Sequence, residues 1–148
     1  MPAKPPLPTS GRKLAQGAVM IAIAALQDER VRAQLSKAPA AVRSWATARR
    51  SAEREASRLE QLDPTQRFGQ RGIERRLRAL QRNADQVFPD RTAEPGSSMH
   101  TAIDELGRAA SISATMPLNE RRRARRRITS ELTRLELALV DAVLPPDH

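Results

Sequence analysis

Apolar residues recur every three or four positions along most of this chain, the spacing that places them on one face of an α-helix. The pattern occupies five segments, which are separated by breaks that contain proline, glycine or serine. No stretch alternates apolar and polar residues in the manner of a half-buried strand. The sequence therefore predicts an all-α protein of four to five helices, arranged as antiparallel helical hairpins or a small bundle.

Three of the helices are predicted before residue 89. Residues 1–9 contain four prolines, so this stretch is expected to be a disordered tail. Ser10 is a suitable N-cap for the first helix, and the motif DPTQ at 63–66 is a capping-box variant that opens the third. The three helices are expected over 11–35, 39–62 and 64–87.

The second half of the chain begins with a linker. Residues 89–97, PDRTAEPGS, have the composition of a loop. Two helices are expected after it, over 99–115 and 117–144, and their short connection predicts an antiparallel hairpin. The chain is thus divided into a disordered tail (1–9), an N-terminal helical region (10–88), the linker (89–97) and a C-terminal helical hairpin (98–148).

The hydrophobic residues are many but small. Alanine contributes 24 of them, whereas Leu, Ile, Val and Phe together make up only 29 of 148 residues. Alanine favours helix strongly but buries little surface, so good helices over a thin core are expected. Self-association or a docked partner helix would add burial. The heptad-like seam of the last helix offers a place for it through Ile128, Leu132, Leu135 and Leu139.

The charge is strongly positive. The net charge is +9, and 23 of the 26 basic residues are arginine, a balance that favours acidic partners. One cluster lies at the start of the last helix, where the helix dipole disfavours cations, and a second set forms a stripe along the third helix. Neutralisation by acids elsewhere in the fold, or simple solvation, would also explain the cluster, and a solvated helix face would also explain the stripe. The candidate anion or nucleic-acid contacts are Arg71, Arg75, Arg78, Arg82, Arg121, Arg122, Arg123, Arg125, Arg126 and Arg127.

Residues suited to catalysis or metal binding are scarce. The chain contains no cysteine and two histidines, His100 and His148. His100 precedes Asp104 by four residues, but a histidine near a helix start is usually structural. Neither a zinc-ligand spacing such as H-E-x-x-H nor a glycine-rich phosphate loop occurs. We therefore expect no enzymatic activity, no cofactor, no metal ion and no small-molecule substrate.

The longest apolar run bears on location. As a helix, residues 14–26 would be about 20 Å long, which is shorter than the ~30 Å hydrocarbon core of a bilayer. The basic residues Arg12 and Lys13 before this run are typical of secretory signals and interfacial helices. The apolar pattern nevertheless continues to Leu35, as in a longer amphipathic helix. A cytoplasmic location is expected, with secretion or membrane association as the alternatives.

These features together predict a non-catalytic helical interaction or scaffold protein. Its partner is expected to be another protein or a second copy of the chain, reached by self-association or by docking of a partner helix. Nonspecific binding of nucleic acid through the arginine-rich helices is an alternative, and it would be driven by backbone contacts because aromatic residues are few. Association with an anionic membrane surface is a further alternative.

Overall fold

A computed structural model describes residues 7–59 and 69–144, with side chains described for 15–55 and 69–144. Every regular element in these ranges is an α-helix, which confirms the predicted all-α class, although six helices are present where four to five were expected. Residues 1–6 of the predicted tail and the motif at 63–66 lie outside the described residues. The helices are α1 (Leu7–Leu26), α2 (Glu29–Leu35), α3 (Ala40–Leu59), α4 (Gln70–Val87), α5 (Gly96–Ser113) and α6 (Leu118–Val143).

The additional helix arises because the segment expected to form one helix over 11–35 is broken at Asp28. The backbone of Asp28 is extended, and its carboxylate accepts a hydrogen bond from the Arg30 backbone N–H at 2.9 Å, as an N-cap does. The chain changes direction here, so that α2 packs against α6 and buries Leu35 in the core. A continuous helix was the wrong expectation for this stretch.

The predicted linker is packed closely against the start of α5. A Cβ atom built on Gly96 would lie 2.6 Å from the Asp90 carbonyl oxygen and 3.0 Å from the Phe88 Cβ. Glycine is therefore required at this position by close approach of the backbone. The carboxylate of Asp90 orders the same loop by accepting hydrogen bonds from the backbone N–H and the hydroxyl of Thr92.

Helices α4 and α5 run antiparallel. Gln70, at the start of α4, donates a hydrogen bond to the Ala110 carbonyl near the end of α5 at 3.3 Å. Gln81, near the end of α4, lies 3.0 Å from the ring of His100 near the start of α5. The two helices therefore form a pair, and residues 114–117 connect α5 to α6.

A single hydrophobic core is assembled around α6, which contacts each of the other five helices. Its residues Leu132, Leu135, Leu139 and Val140 are completely buried. The core includes side chains from both sides of the predicted linker. The division of the chain at 89–97 stays a prediction. In the part of the chain that the structure describes, no helix has the length and apolarity needed to cross a bilayer.

Candidate partner-binding surface

Helix α4 presents two opposite faces, one apolar and one basic. Ile73, Leu77 and Leu80 are buried against neighbouring helices. Four predicted contact residues lie on the opposite side, and all four are exposed. At 100° per residue they fall within an arc of roughly 60° and extend for about 16 Å along the helix. These residues form the α4 stripe: Arg71, Arg75, Arg78 and Arg82.

The α4 stripe has no acidic partner among the described residues. Each ion pair found there joins other residues, so the stripe is not neutralised from within this part of the fold. Arg78 makes one long hydrogen bond, from Nε to the Glu74 carbonyl oxygen at 3.4 Å. Ion pairing within the described residues therefore does not explain the stripe, whereas solvation remains an explanation that needs no partner.

Arg76, on the same helix, is used quite differently. It points inward and binds Glu136 of α6, whose side chain is 1% exposed, while its Nη2 also donates to the Thr133 hydroxyl at 2.8 Å. Arg49 of α3 reaches the same carboxylate, with Nε 3.0 Å from Oε2 and Nη2 3.2 Å from Oε1. The Glu136 triad of Glu136, Arg49 and Arg76 thus ties three helices together.

Electrostatics within the Glu136 triad stabilise the charged form of Arg49. Burial alone lowers the pKa of this guanidinium. The hydrogen bond to Glu136, the negative charge of Glu136 and the nearby Glu53 outweigh burial, so the pKa of Arg49 is raised above its usual value. A carboxylate this deeply buried requires such partners. The triad is therefore a structural element of the core.

The burial of Glu136 is indicated by its position in the sequence. Glu136 follows Leu132 by four residues and precedes Leu139 by three, so helical spacing places it on the buried side of α6. A charge at a seam position implies a buried partner of opposite sign. Its partners Arg49 and Arg76 are distant along the chain, and spacing alone does not identify them.

The predicted docking seam is occupied by helices of the same chain. Ile128, Leu132, Leu135 and Leu139 all belong to the core, and the most exposed of them, Ile128, is only 6% accessible. A partner helix would reach these side chains only if a helix of this chain moved away. As a docking site, the seam stays a prediction.

The arginines of the α6 cluster, residues 121–127, divide into two groups. Ala124 is buried, so this side of the helix faces the core, and Arg121 and Arg125 are half-buried beside it. Arg121 donates to the Met116 carbonyl at 3.3 Å, whereas the enclosed Nε of Arg125 has no hydrogen-bond partner among the described residues. The remaining four cations are exposed and have no ion pair in the described part of the chain: Arg122, Arg123, Arg126 and Arg127.

A groove that the sequence did not reveal lies between α4 and α5, with a volume of about 780 Å³. Leu77, Ile103 and Ile112 provide its apolar walls, and it is open to solvent. Arg78 of the α4 stripe stands on one edge, and Arg108 stands on the other. The basic and apolar surfaces of α4 therefore meet at this α4–α5 groove.

His100 has a structural position. Its Nε2 donates to the Phe88 carbonyl oxygen at 3.1 Å, because a carbonyl only accepts. Its Nδ1 then accepts from the Gln81 amide, and the Asp85 carboxylate is 3.8 Å from Nε2. The ring is buried and joins α5 to the end of α4. In the described residues, no three His, Cys, Asp or Glu side chains are grouped so as to hold a metal ion.

Comparisons of the chain with protein-family models, with curated proteins and with solved structures each find no match. No relative supplies a substrate or a partner. The side chains of α4, α5 and α6 are therefore the basis for assigning a function.

Proposed function

We propose that this chain is a non-catalytic helical interaction protein that binds an acidic protein partner through the outer face of α4. The observation that supports this is the α4 stripe, whose exposed arginines lack a carboxylate partner among the described residues. Its members form three like-charge pairs at i,i+3 or i,i+4, each of which costs roughly 0.2–0.5 kcal/mol, and the exposed carboxylates of Glu74 and Asp85 beside the stripe offset part of this repulsion. An acidic partner would replace that repulsion with attraction.

The surroundings of the α4 stripe favour a protein partner over a nucleic acid. Base stacking has little support, since Phe88 is buried and Trp45 is half-buried. An apolar groove beside the arginines is a feature that a protein surface fills and a phosphate backbone does not.

We further propose a cytoplasmic location. The segment that has features of a secretory signal contributes Val19, Ala22 and Leu26 to the core, all at most 1% exposed. Cleavage in or after this segment would remove core side chains and leave their neighbours on α5 and α6 uncovered. This packing supports a role for the segment in the folded protein.

The proposal is tested by measuring fluorescence anisotropy of a labelled polyglutamate peptide titrated with the full chain. Two variants carry the same change of charge: Arg71→Glu/Arg75→Glu/Arg82→Glu in the α4 stripe and Arg122→Glu/Arg123→Glu/Arg126→Glu in the α6 cluster. Circular dichroism verifies that both remain helical. We expect the α4 variant to weaken binding by about tenfold or more, as for the loss of three exposed charge pairs, and the α6 variant to weaken it much less. Equal losses in the two variants would contradict the proposal.

A nucleic acid is the second candidate partner, and the exposed cations of the α6 cluster favour it. A labelled DNA duplex tests this candidate in the same assay at several salt concentrations. Tighter binding of the duplex than of polyglutamate, with a steep salt dependence that the α6 variant reduces, would favour nucleic acid.

A membrane surface is the third candidate, because Met20 and Ile21 of α1 are exposed. Flotation with anionic vesicles, compared between wild type and Ile21→Ser, tests it.

A further inference from the structure

The α4–α5 groove combines an apolar interior with charged edges. Leu77 of α4 and Ile103 of α5 are nearly buried at its base, whereas Ile112 is 55% exposed at one end. Ile112 therefore extends the apolar surface of Leu77 and Ile103 to the outside of the protein. The groove is therefore suited to an apolar face of another molecule.

We propose that this groove binds one amphipathic helix of the acidic partner, with the acidic edge of that helix lying over α4. This inference rests on the proposed function and specifies the site and the form of the partner. Helix-in-groove binding of this kind uses apolar anchors at i, i+3 or i+4, and i+7. From Ile103 to Ile112 the groove follows nine residues of α5, or about 14 Å, which matches two to three turns of a bound helix.

Space for the central anchor exists above Gly107. This glycine lines the groove between Ile103 and Ile112, and a Cβ atom built on it would meet no atom within 4 Å. Gly96 differs from Gly107, because it is packed against the backbone of residue 90. At Gly107 the absence of a side chain leaves open space over the backbone of α5. An apolar side chain of the partner could therefore approach the backbone of α5 at Gly107.

The charges along the two edges fix the orientation of the bound helix. Arg78 stands on the α4 edge without an ion-pair partner among the described residues, and the rest of the α4 stripe lies beyond it. Glu74 and Asp85 also lie on this side of α4, and Asp85 is paired with Arg91 at 2.8 Å. On the α5 edge, Arg108 is engaged by Glu105 at 3.2 Å, and Asp104 adds a negative charge. The α4 edge is therefore complementary to a row of Asp or Glu on the bound helix. The α5 edge carries both signs of charge and is complementary to a row that contains acidic and basic residues.

The inference is tested with a labelled synthetic peptide of about 14 residues, with leucines at helical i, i+3, i+4 and i+7 positions and glutamates along one edge. A scrambled peptide of the same composition is the control for charge. Anisotropy is measured with the full chain. We expect the amphipathic peptide to bind about tenfold or more tightly than the scrambled one, since only the former presents all its leucines together.

Two pairs of variants locate the site. Gly107→Leu fills the groove, and Gly17→Leu is its match on α1, because a Cβ there also meets no atom within 4 Å. Ile112→Ser removes an exposed wall, and Ile21→Ser removes a similarly exposed isoleucine, 62% accessible, from α1. We expect the two groove variants to lose about tenfold in affinity for the amphipathic peptide and the two α1 variants to bind as wild type does. Equal affinity for both peptides, or binding unchanged in both groove variants, would overturn the inference.

The failure of this inference is distinguishable from failure of the proposed function. Polyglutamate has no apolar side chain, so its binding should depend on the α4 stripe and be unchanged in Gly107→Leu. If polyglutamate binding still requires the α4 stripe while the amphipathic and scrambled peptides bind with equal affinity, the groove inference alone is overturned. Sizing chromatography provides a further check, because self-association that Ile112→Ser abolishes would assign the groove to a second copy instead.

Discussion

Substitution of Glu136 by glutamine removes the one negative charge that the buried arginines share, while it preserves the size of the side chain. In the folded protein this carboxylate is 1% exposed and accepts hydrogen bonds from both Arg49 and Arg76. A neutral amide accepts through one oxygen only, and its NH₂ group would point at a guanidinium. Arg76 would then lose its carboxylate partner, and Arg49 would keep only Glu53, which lies 3.3 Å from its Nη2.

The expected loss of stability follows from the burial of the three side chains. Removing one member of a fully buried ion pair costs about 3–5 kcal/mol. The guanidiniums are enclosed less completely than the carboxylate, since the side chains of Arg49 and Arg76 are 15% and 25% exposed, so they regain some hydration. We therefore expect Glu136→Gln to lower the free energy of unfolding by about 2–3 kcal/mol, a large share of the 5–15 kcal/mol typical of a domain.

Urea denaturation followed by circular dichroism measures this change, with Asp141→Asn as the matched control. Asp141 pairs with Arg50 at 3.5 Å between the same two helices, α3 and α6, but its side chain is 63% exposed. An exposed pair of this kind contributes about 0–1 kcal/mol, so the control should lie near wild type. Equal effects of Glu136→Gln and Asp141→Asn would refute the reasoning, because burial would then make no difference.

Three further predictions concern the packing of the chain. Gly96→Ala should destabilise the protein by about 1–3 kcal/mol through overpacking, whereas Gly107→Ala should stabilise it by about 0.5–1 kcal/mol. Urea denaturation of both variants measures the two changes in stability, and changes of the same sign would contradict the prediction. The Thr92 hydroxyl and backbone hydrogen bonds lower the pKa of Asp90, so its contribution to stability should be present above the usual aspartate pKa and lost as the pH falls through the folded value. NMR titration should show the pKa of Asp90 rising in Thr92→Val, and an unchanged value would count against the loop geometry. Leu135→Ala should lower the free energy of unfolding by about 3–5 kcal/mol, because Leu135 is buried within the chain. The denaturation midpoint should not depend on protein concentration, and a midpoint that does would indicate an intermolecular seam.

The sequence predicted the helices well because their periodicity is a local property. The ranges expected for α3, α5 and α6 agree with the structure to within three residues at each end. The break at Asp28 was missed because the apolar pattern continues across it to Leu35. The local sign of the break is the capping carboxylate of Asp28, and a pattern of apolar residues does not detect such a cap.

The candidate site was predictable only in part, because it depends on which helices meet. Helical spacing correctly placed the arginines of the α4 stripe on one exposed face. It also identified Leu132 and Leu135 as an apolar seam, but periodicity shows which side of a helix is buried and not what covers it. Arg49 lies 87 residues from Glu136, and the α4–α5 groove belongs to neither helix alone. Such features require the tertiary structure.

The central claim, that partners meet the outer faces of α4 and α5 and not the seam of α6, is tested most directly by methyl NMR. The chain contains six isoleucines, and selective labelling of their δ1 methyl groups allows each to be followed while the acidic amphipathic peptide is added. We expect the methyl signals of Ile103 and Ile112, which line the groove, to shift, while those of Ile21 on α1 and Ile128 in the seam stay in place. A shift of Ile128 without any change at Ile103 and Ile112 would contradict the claim.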